Sequence, residues 1–350
     1  MKTLLVTGGC GFIGSHFVRL VIQKKAWRVI NLDKLTYAGN PENLDDIKNN
    51  SRYAFARGDI TDPSFVGELF QKEKPWAVVN FAAESHVDRS IIDASPFLQT
   101  NVSGVQVLLD AARQHQVERF LQVSTDEIYG DADGKEPFQE EDPLKPSSPY
   151  AASKAAADLL CLAYRRTYEL PLVITRSSNN YGPFQFPEKL VPLVIRNALN
   201  GDDLPVYGDG MQRRDWLYVE DNVRGIFKVM ERGRIGSTYN LGTGEERTNL
   251  DVVQVLCDVI AQEANLDSAA LRRRIRFIAD RPGHDRRYAL NFARARQELQ
   301  WSPQLSFEAA LRRTVCWYLD NQEWVKRVTS GEYLDYYKAV YTHTWGRARR

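Results

Sequence analysis

The segment Thr7-Gly8-Gly9-Cys10-Gly11-Phe12-Ile13-Gly14 constrains this chain more than any other. It follows an apolar, β-rich run at residues 3–7 and opens a helical pattern at 12–25. Gly8, Gly11 and Gly14 recur at GxxGxxG spacing, which lets the backbone turn sharply and approach a ligand closely. The helix start that follows presents unbonded N–H groups and the positive end of its dipole. Glycine-rich turns are common, but a strand before and a helix after make this one a pyrophosphate-binding turn.

Asp33 stands at the end of the second β-rich run, 28–32, and 19 residues after Gly14. A carboxylate there accepts hydrogen bonds from an adenosine ribose and repels a 2′-phosphate, which favours NAD over NADP. Lys34 softens that repulsion without replacing the carboxylate's hydrogen bonds. Asp59 and Ile60 follow the third run, 53–57, where an acid and an apolar side chain can meet an adenine ring. An ordinary loop acid fits Asp59 equally well.

Further β-rich runs at 77–81, 119–124 and 172–176 alternate with helical patterns at 96–115 and 150–168. Apolar strands alternating with helices predict an α/β fold, a Rossmann-type doubly wound parallel sheet covered on both faces. Beyond residue 178 turn signals crowd in, with helical patterns at 189–200, 220–231, 249–264 and 307–320. The division expected is a dinucleotide-binding domain at 1–178, with segments returning to it around 215–245. A smaller C-terminal α/β substrate lobe at 179–345 and a basic tail at 346–350 complete it.

The chain has 350 residues, 46 Lys plus Arg against 45 Asp plus Glu, and a net charge of +1. That balance argues against a nucleic-acid partner. No apolar run is long enough to span a bilayer. Cys10, Cys161, Cys257 and Cys316 show no CxxC spacing or accompanying His cluster, so no metal site is expected and the thiols read as reduced. A cytoplasmic protein follows from that reading.

Tyr150 and Lys154 stand four apart in a helical pattern, hence on one face. A nearby ammonium favours phenolate and lowers a tyrosine pKa from about 10, making it a usable base. Ser124-Thr125 closes the fifth β-rich run, and Asp126-Glu127 follows directly. Two carboxyl groups at the carboxyl end of such a strand lie where these sheets place ligands. If their pKa values are separated, one removes a proton while the other delivers one, as the loss of water from a sugar requires.

With the glycine turn, Ser124-Thr125 and the Tyr150/Lys154 pair together, the chain resembles the extended short-chain dehydrogenase/reductase family over nearly its whole length. The stretch Thr125-Asp126-Glu127-Ile128-Tyr129-Gly130 resembles the dTDP-glucose 4,6-dehydratases within it. So do the segments 82–88, 176–183, 186–190, 214–219 and 281–285. The resemblance implies Thr125, Asp126, Glu127, Tyr150 and Lys154 as catalytic residues, bound NAD, and dTDP-glucose as substrate. It adds Leu35, Thr36, Phe81, Ala82, Ala83, Ser85, Thr100, Ser124 and Asn179 to the cofactor site. For the substrate it implies Ser85, His86, Thr125, Asn180, Lys189, Leu190, Pro205, Tyr207, Arg214, Asn249, Arg281 and His284. Lys189, Arg214 and Arg281 would face the diphosphate, Arg through its bidentate fork. Tyr207 would stack on the base, although a lone aromatic reads as core just as readily.

Epimerases and UDP-sugar decarboxylases can use the same Tyr–Lys pair but do not require the adjacent acids. A non-enzymatic NAD-binding protein on the same fold is the remaining alternative. The helical patterns 96–115 and 150–168 carry a surplus of apolar and small residues. These are Val102, Val105, Val107, Leu108 and Leu109 on one, and Ala151, Ala152, Ala155, Ala156, Leu159 and Leu160 on the other. A homodimer through a four-helix bundle would bury the surplus.

Overall fold

The computed structural model describes residues 1–330; the sequence-predicted tail at 346–350 lies outside them. The strands are β1 Thr3–Thr7, β2 Arg28–Asp33, β3 Tyr53–Arg57, β4 Ala77–Asn80, β5 Arg119–Thr125, β6 Leu172–Ser177, β7 Asn179–Tyr181, β8 Leu204–Tyr207, β9 Arg213–Tyr218, β10 Thr238–Leu241, β11 Glu246–Thr248 and β12 Ile275–Ile278. Seven of them form one sheet in the order β3-β2-β1-β4-β5-β6-β10. All six pairings in it are parallel. This is the doubly wound sheet that strand–helix alternation predicts.

Alternation along the strands explains the two covered faces. Leu4 and Val6 of β1 join a core with helix Phe12–Lys24 and helix Val219–Arg232. Leu5, between them in sequence, joins the opposite core with Val105 and Leu108 of helix Val105–Gln114 and Ala157 of helix Pro149–Tyr168. Because both faces are buried, the strands read as continuous apolar runs. β10, at 238–241, comes back to the sheet edge beside β6, far along the chain from its neighbour. The remaining strands make a three-stranded sheet, β11-β9-β7, and a two-stranded pair, β12-β8, after residue 178.

Two local features place the site. Sheet order reverses at β1, between β2 and β4, which opens a crevice beyond the strands' carboxyl ends. Helix Pro149–Tyr168 starts sharply, with Pro149 in its first turn and the Ser148 hydroxyl accepting from Ala151 N at 3.1 Å. Such a cap contributes about 1 kcal/mol and sets Tyr150 in the helix's first turn, where the crevice lies.

The helix expected at 96–115 runs without a gap from Ser95 to Gln114 but widens in its middle. Ser95–Leu98 is α-helical, Gln99–Gly104 is π-helical, and the α-helix resumes at Val105–Gln114. Asn101 lies in the widened stretch, and its amide accepts from Glu84 N at 2.9 Å and donates to Glu84 O at 3.0 Å and Ser153 Oγ at 2.9 Å. A widened turn at such a clamp is common near functional sites.

Candidate active site

The crevice at the strand reversal holds a cavity of about 250 Å³. It is lined by every sequence-predicted cofactor residue except Leu35 and Asn179, and also by Gly39, Gly58, Glu84, Val123, Gln185, Phe186, Glu188 and Lys189. Gly8 adopts φ +68°, and a Cβ there would lie 2.6 Å from Ala82 N. A Cβ on Gly14 would meet Gly8 O at 2.2 Å. These glycines are therefore required by backbone approach. Helix Phe12–Lys24 begins at Gly11 with no side-chain cap and no acid in its first turn. Its free N–H groups are open to a phosphate.

Asp33 closes the far end. Its carboxylate accepts from Cys10 N at 2.9 Å and Leu35 N at 2.8 Å, so it also holds the glycine turn in place. Lys34 does not soften the charge of Asp33; its Nζ pairs with Asp59 at 2.5 Å. Asp59 lines the same cavity. An uncapped helix start, two obligatory glycines and a buried carboxylate fit the pyrophosphate and ribose of NAD.

At the other end β5 delivers Thr125 and a 3₁₀ turn, Asp126–Tyr129, delivers the two acids. Thr125 Oγ1 donates to Asp126 Oδ1 at 3.2 Å and accepts from Glu127 N at 3.3 Å. One oxygen of each acid, Asp126 Oδ2 and Glu127 Oε2, is buried without a partner. Burial, Glu127 and then Asp215 push the Asp126 carboxyl well above the usual range. Burial raises Glu127 as well, but the cations Arg281, Lys189 and Arg214 oppose it. The environments therefore differ in the sense that acid–base division of labour needs: the Asp126 carboxyl is pushed well up, while cations oppose the rise at Glu127.

Tyr150 departs from the sequence expectation. Its hydroxyl is pushed above the ordinary range, chiefly by burial and by Glu127, against a lowering hydrogen bond with Thr125. The Lys154 ammonium donates to Val123 O at 2.7 Å. The i, i+4 spacing put both residues on one face, but burial and a neighbouring acid set the direction of the shift.

A family model described as GDP-mannose 4,6 dehydratase matches residues 5–314. The dTDP-glucose 4,6-dehydratase of Neisseria meningitidis serogroup B is 50% identical to this chain, covering 95% of it and 98% of the relative. The chain belongs to the dTDP-glucose 4,6-dehydratase family. A solved structure of DesIV, a dTDP-glucose 4,6-dehydratase from Streptomyces venezuelae with NAD and TYD bound, superposes with a TM-score of 0.88 at 47% identity. It covers 93% of this chain and 100% of that one. A UDP-glucose 4-epimerase from Thermotoga maritima with UDP-glucose also shares the fold, with a TM-score of 0.83 at 30% identity over 92% of this chain and 100% of that one.

In this dehydratase the predicted substrate residues fall into several groups. Arg281 lies with its guanidinium 5.9 Å from the Tyr207 ring centre, and His284 meets that ring edge-on at 6.2 Å. Lys189 Nζ donates to Ser85 O at 2.7 Å, joining the second lobe to the segment after β4. His86 is buried at the start of helix Val87–Ile92 and faces Glu188 at 3.5 Å. Leu190 begins helix Leu190–Asn200, Pro205 lies in β8, and Asn249 begins helix Asn249–Ala264 behind a Thr248/Asp251 capping box.

Two of the predicted substrate residues have partners within the chain. Arg214 donates from its terminal nitrogens to the carbonyls of Arg213 and Asp285 at 2.8 Å, and its guanidinium covers the Tyr288 ring at 4.1 Å. Its charge still reaches the Asp126/Glu127 pair. The Asn180 amide is turned inward, donating to Ser178 O at 2.9 Å and accepting from Asn222 Nδ2 at 2.8 Å.

Sequence reasoning missed Asn101, which ties the Glu84 loop to the helix carrying Tyr150, and Asp215, which bears on Asp126. A polar residue inside an apolar helical pattern was the signal for Asn101. Asp215 had none, since it reaches Asp126 only through folding.

Proposed function

We propose that this protein is a dTDP-glucose 4,6-dehydratase, converting dTDP-glucose to dTDP-4-keto-6-deoxyglucose and water. The observation that carries the reading is the pair of unequal carboxyl groups, Asp126 and Glu127, beyond the end of the strand that also presents Thr125. When bound, NAD would supply a positive charge and a reversible hydride acceptor for C4 and C6. Residues around Gly8, Gly11, Gly14 and Asp33 would hold it. Tyr150 removes the C4 hydroxyl proton, with Thr125 holding that hydroxyl and Lys154 favouring the phenolate once positive charge is added. The 4-keto group acidifies C5–H; Glu127 removes that proton and Asp126 protonates the departing C6 oxygen. A proton then returns to C5. Lys189 and Arg281 neutralise the diphosphate, and Tyr207 meets the base. Residues 1–178 act as the cofactor domain, and the later lobe holds the nucleotide.

Mass spectrometry of dTDP-glucose incubated with the NAD-loaded protein tests this. The expected product has lost one water, with no stoichiometric NADH left behind. An unchanged mass would point to epimerisation, loss of carbon dioxide from a UDP-glucuronate control would point to decarboxylation, and either would overturn the reading.

We also propose a cytoplasmic homodimer. Free cysteines support the compartment, and no helix among the described residues is long and apolar enough to cross a membrane. Val105, Leu108, Leu109, Ala151 and Ala155 are buried within the chain, so they are not the surplus that was expected. An open face remains: Leu159 is 56% exposed, Leu98 54% and Leu162 38%, beside Val102, Val107, Ala152, Ala156 and Leu160. Two copies pairing these faces would remove them from water. Light scattering at micromolar protein is expected to give twice the single-chain mass; the single-chain mass would reject the dimer.

A further inference from the structure

Arg281 and Tyr207 belong to separate segments of the later lobe, yet both hold the same side chain of the first domain. Asp88, in the first turn of helix Val87–Ile92, is 1% exposed. Its Oδ1 accepts from Arg281 Nη1 at 3.1 Å and its Oδ2 from the Tyr207 hydroxyl at 2.8 Å. The Arg281 side chain is itself only 17% exposed. Its Nε is buried with no partner.

An unpaired buried N–H on a charged group is costly and lowers the free energy of any anion that meets it. Both Asp88 oxygens are engaged and the residue is enclosed, so it has no route by which to swing aside for a ligand. Burial pushes its carboxyl up, but His86, Arg281 and the Tyr207 hydrogen bond hold it below the usual carboxylate range. It is therefore a fixed anion that orients a cation and a phenol, not one that yields its place.

We propose that Asp88 is the positioning residue of the nucleoside diphosphate site. By gripping Arg281 at one Nη and Tyr207 at its hydroxyl, it sets the guanidinium and the ring for one ligand, and leaves Arg281 Nε as a donor for a diphosphate oxygen. The inference rests on the reading that Arg281 and Tyr207 bind the nucleotide.

Titration of the NAD-loaded protein with dTDP, together with kcat and KM for dTDP-glucose, tests it. Asp88→Asn keeps the size of the side chain but loses the charge. It is expected to raise the dTDP Kd and the KM by about 10- to 100-fold with kcat largely unchanged and NAD retained. In an Arg281→Ala background the same substitution should add only the several-fold loss that passes through Tyr207, because the larger part acts through Arg281. Additive losses, an unchanged Kd, or tighter binding by Asp88→Asn would each overturn the inference. If Asp88→Asn does not fold, Tyr207→Phe keeps the ring and removes its hydrogen bond to Asp88: a several-fold weaker Kd is expected, and an unchanged one overturns the inference. Wild-type protein that fails to bind dTDP would instead overturn the reading of the lobe itself.

Discussion

Replacing Tyr150 by Phe is expected to lower turnover of dTDP-glucose by about 10²- to 10⁴-fold, the usual scale for removing a positioned acid–base group. The ring is enclosed beside Val87, Phe97 and Ile91, and Phe preserves that packing. The loss should therefore fall on kcat, with NAD content and melting temperature close to wild type. The pKa environment adds a pH signature. Burial and Glu127 hold the phenol above its ordinary range, so the first oxidation should speed up as pH rises, until the phenolate forms readily. Transient NADH absorbance, followed by stopped flow across pH, measures that step directly. Equal turnover by Tyr150→Phe and wild type would remove Tyr150 from the mechanism.

Glu127→Gln and Asp126→Asn should separate two later steps. Glu127→Gln keeps Tyr150, Lys154 and the cofactor site, so C4 oxidation should persist. Exchange of the C5 hydrogen with solvent deuterium should fall by about 10²- to 10⁴-fold, because an amide is no base. Asp126→Asn should leave oxidation and C5 exchange less affected and slow water loss on the same scale. For the wild type, Glu127 must be ionised and Asp126 protonated. Activity should thus fall as pH drops through the raised Glu127 pKa, and fall again as pH rises through the raised Asp126 pKa.

Stability follows a linked sign. Asp126 binds its proton more tightly folded than unfolded, so its contribution is complete below the unfolded pKa and is lost as pH rises through the folded one. Asp126→Asn removes that loss, and the variant should melt higher than wild type at neutral pH while being less active. Wild-type C5 exchange in Glu127→Gln would refute the base assignment. Substitutions that raise KM alone would make the pair a substrate contact.

What the sequence determined by itself is local. The strand–turn–helix around Gly8, Gly11 and Gly14 needs only neighbouring residues, since backbone approach and a free helix start arise within one supersecondary unit. Tyr150 and Lys154 share a face because four residues make about one helical turn, and Asp33 closes its strand within the same βαβ unit. These fix the fold class and the cofactor end of the site. The tertiary structure decided whatever depends on partners distant in the chain. Asn101 lies in a π-helical stretch that periodicity does not predict, where it bonds to Glu84 and Ser153. Arg214 has the charge for a phosphate, and folding brings the carbonyls of Arg213 and Asp285 beside it to orient its guanidinium. Tyr150 carries the expected lysine neighbour, yet burial reverses the direction of its pKa shift. Asp88 meets Arg281 across 193 positions of sequence. Desolvation and hydrogen-bond geometry are properties of the assembled interior, and no spacing along the chain encodes them.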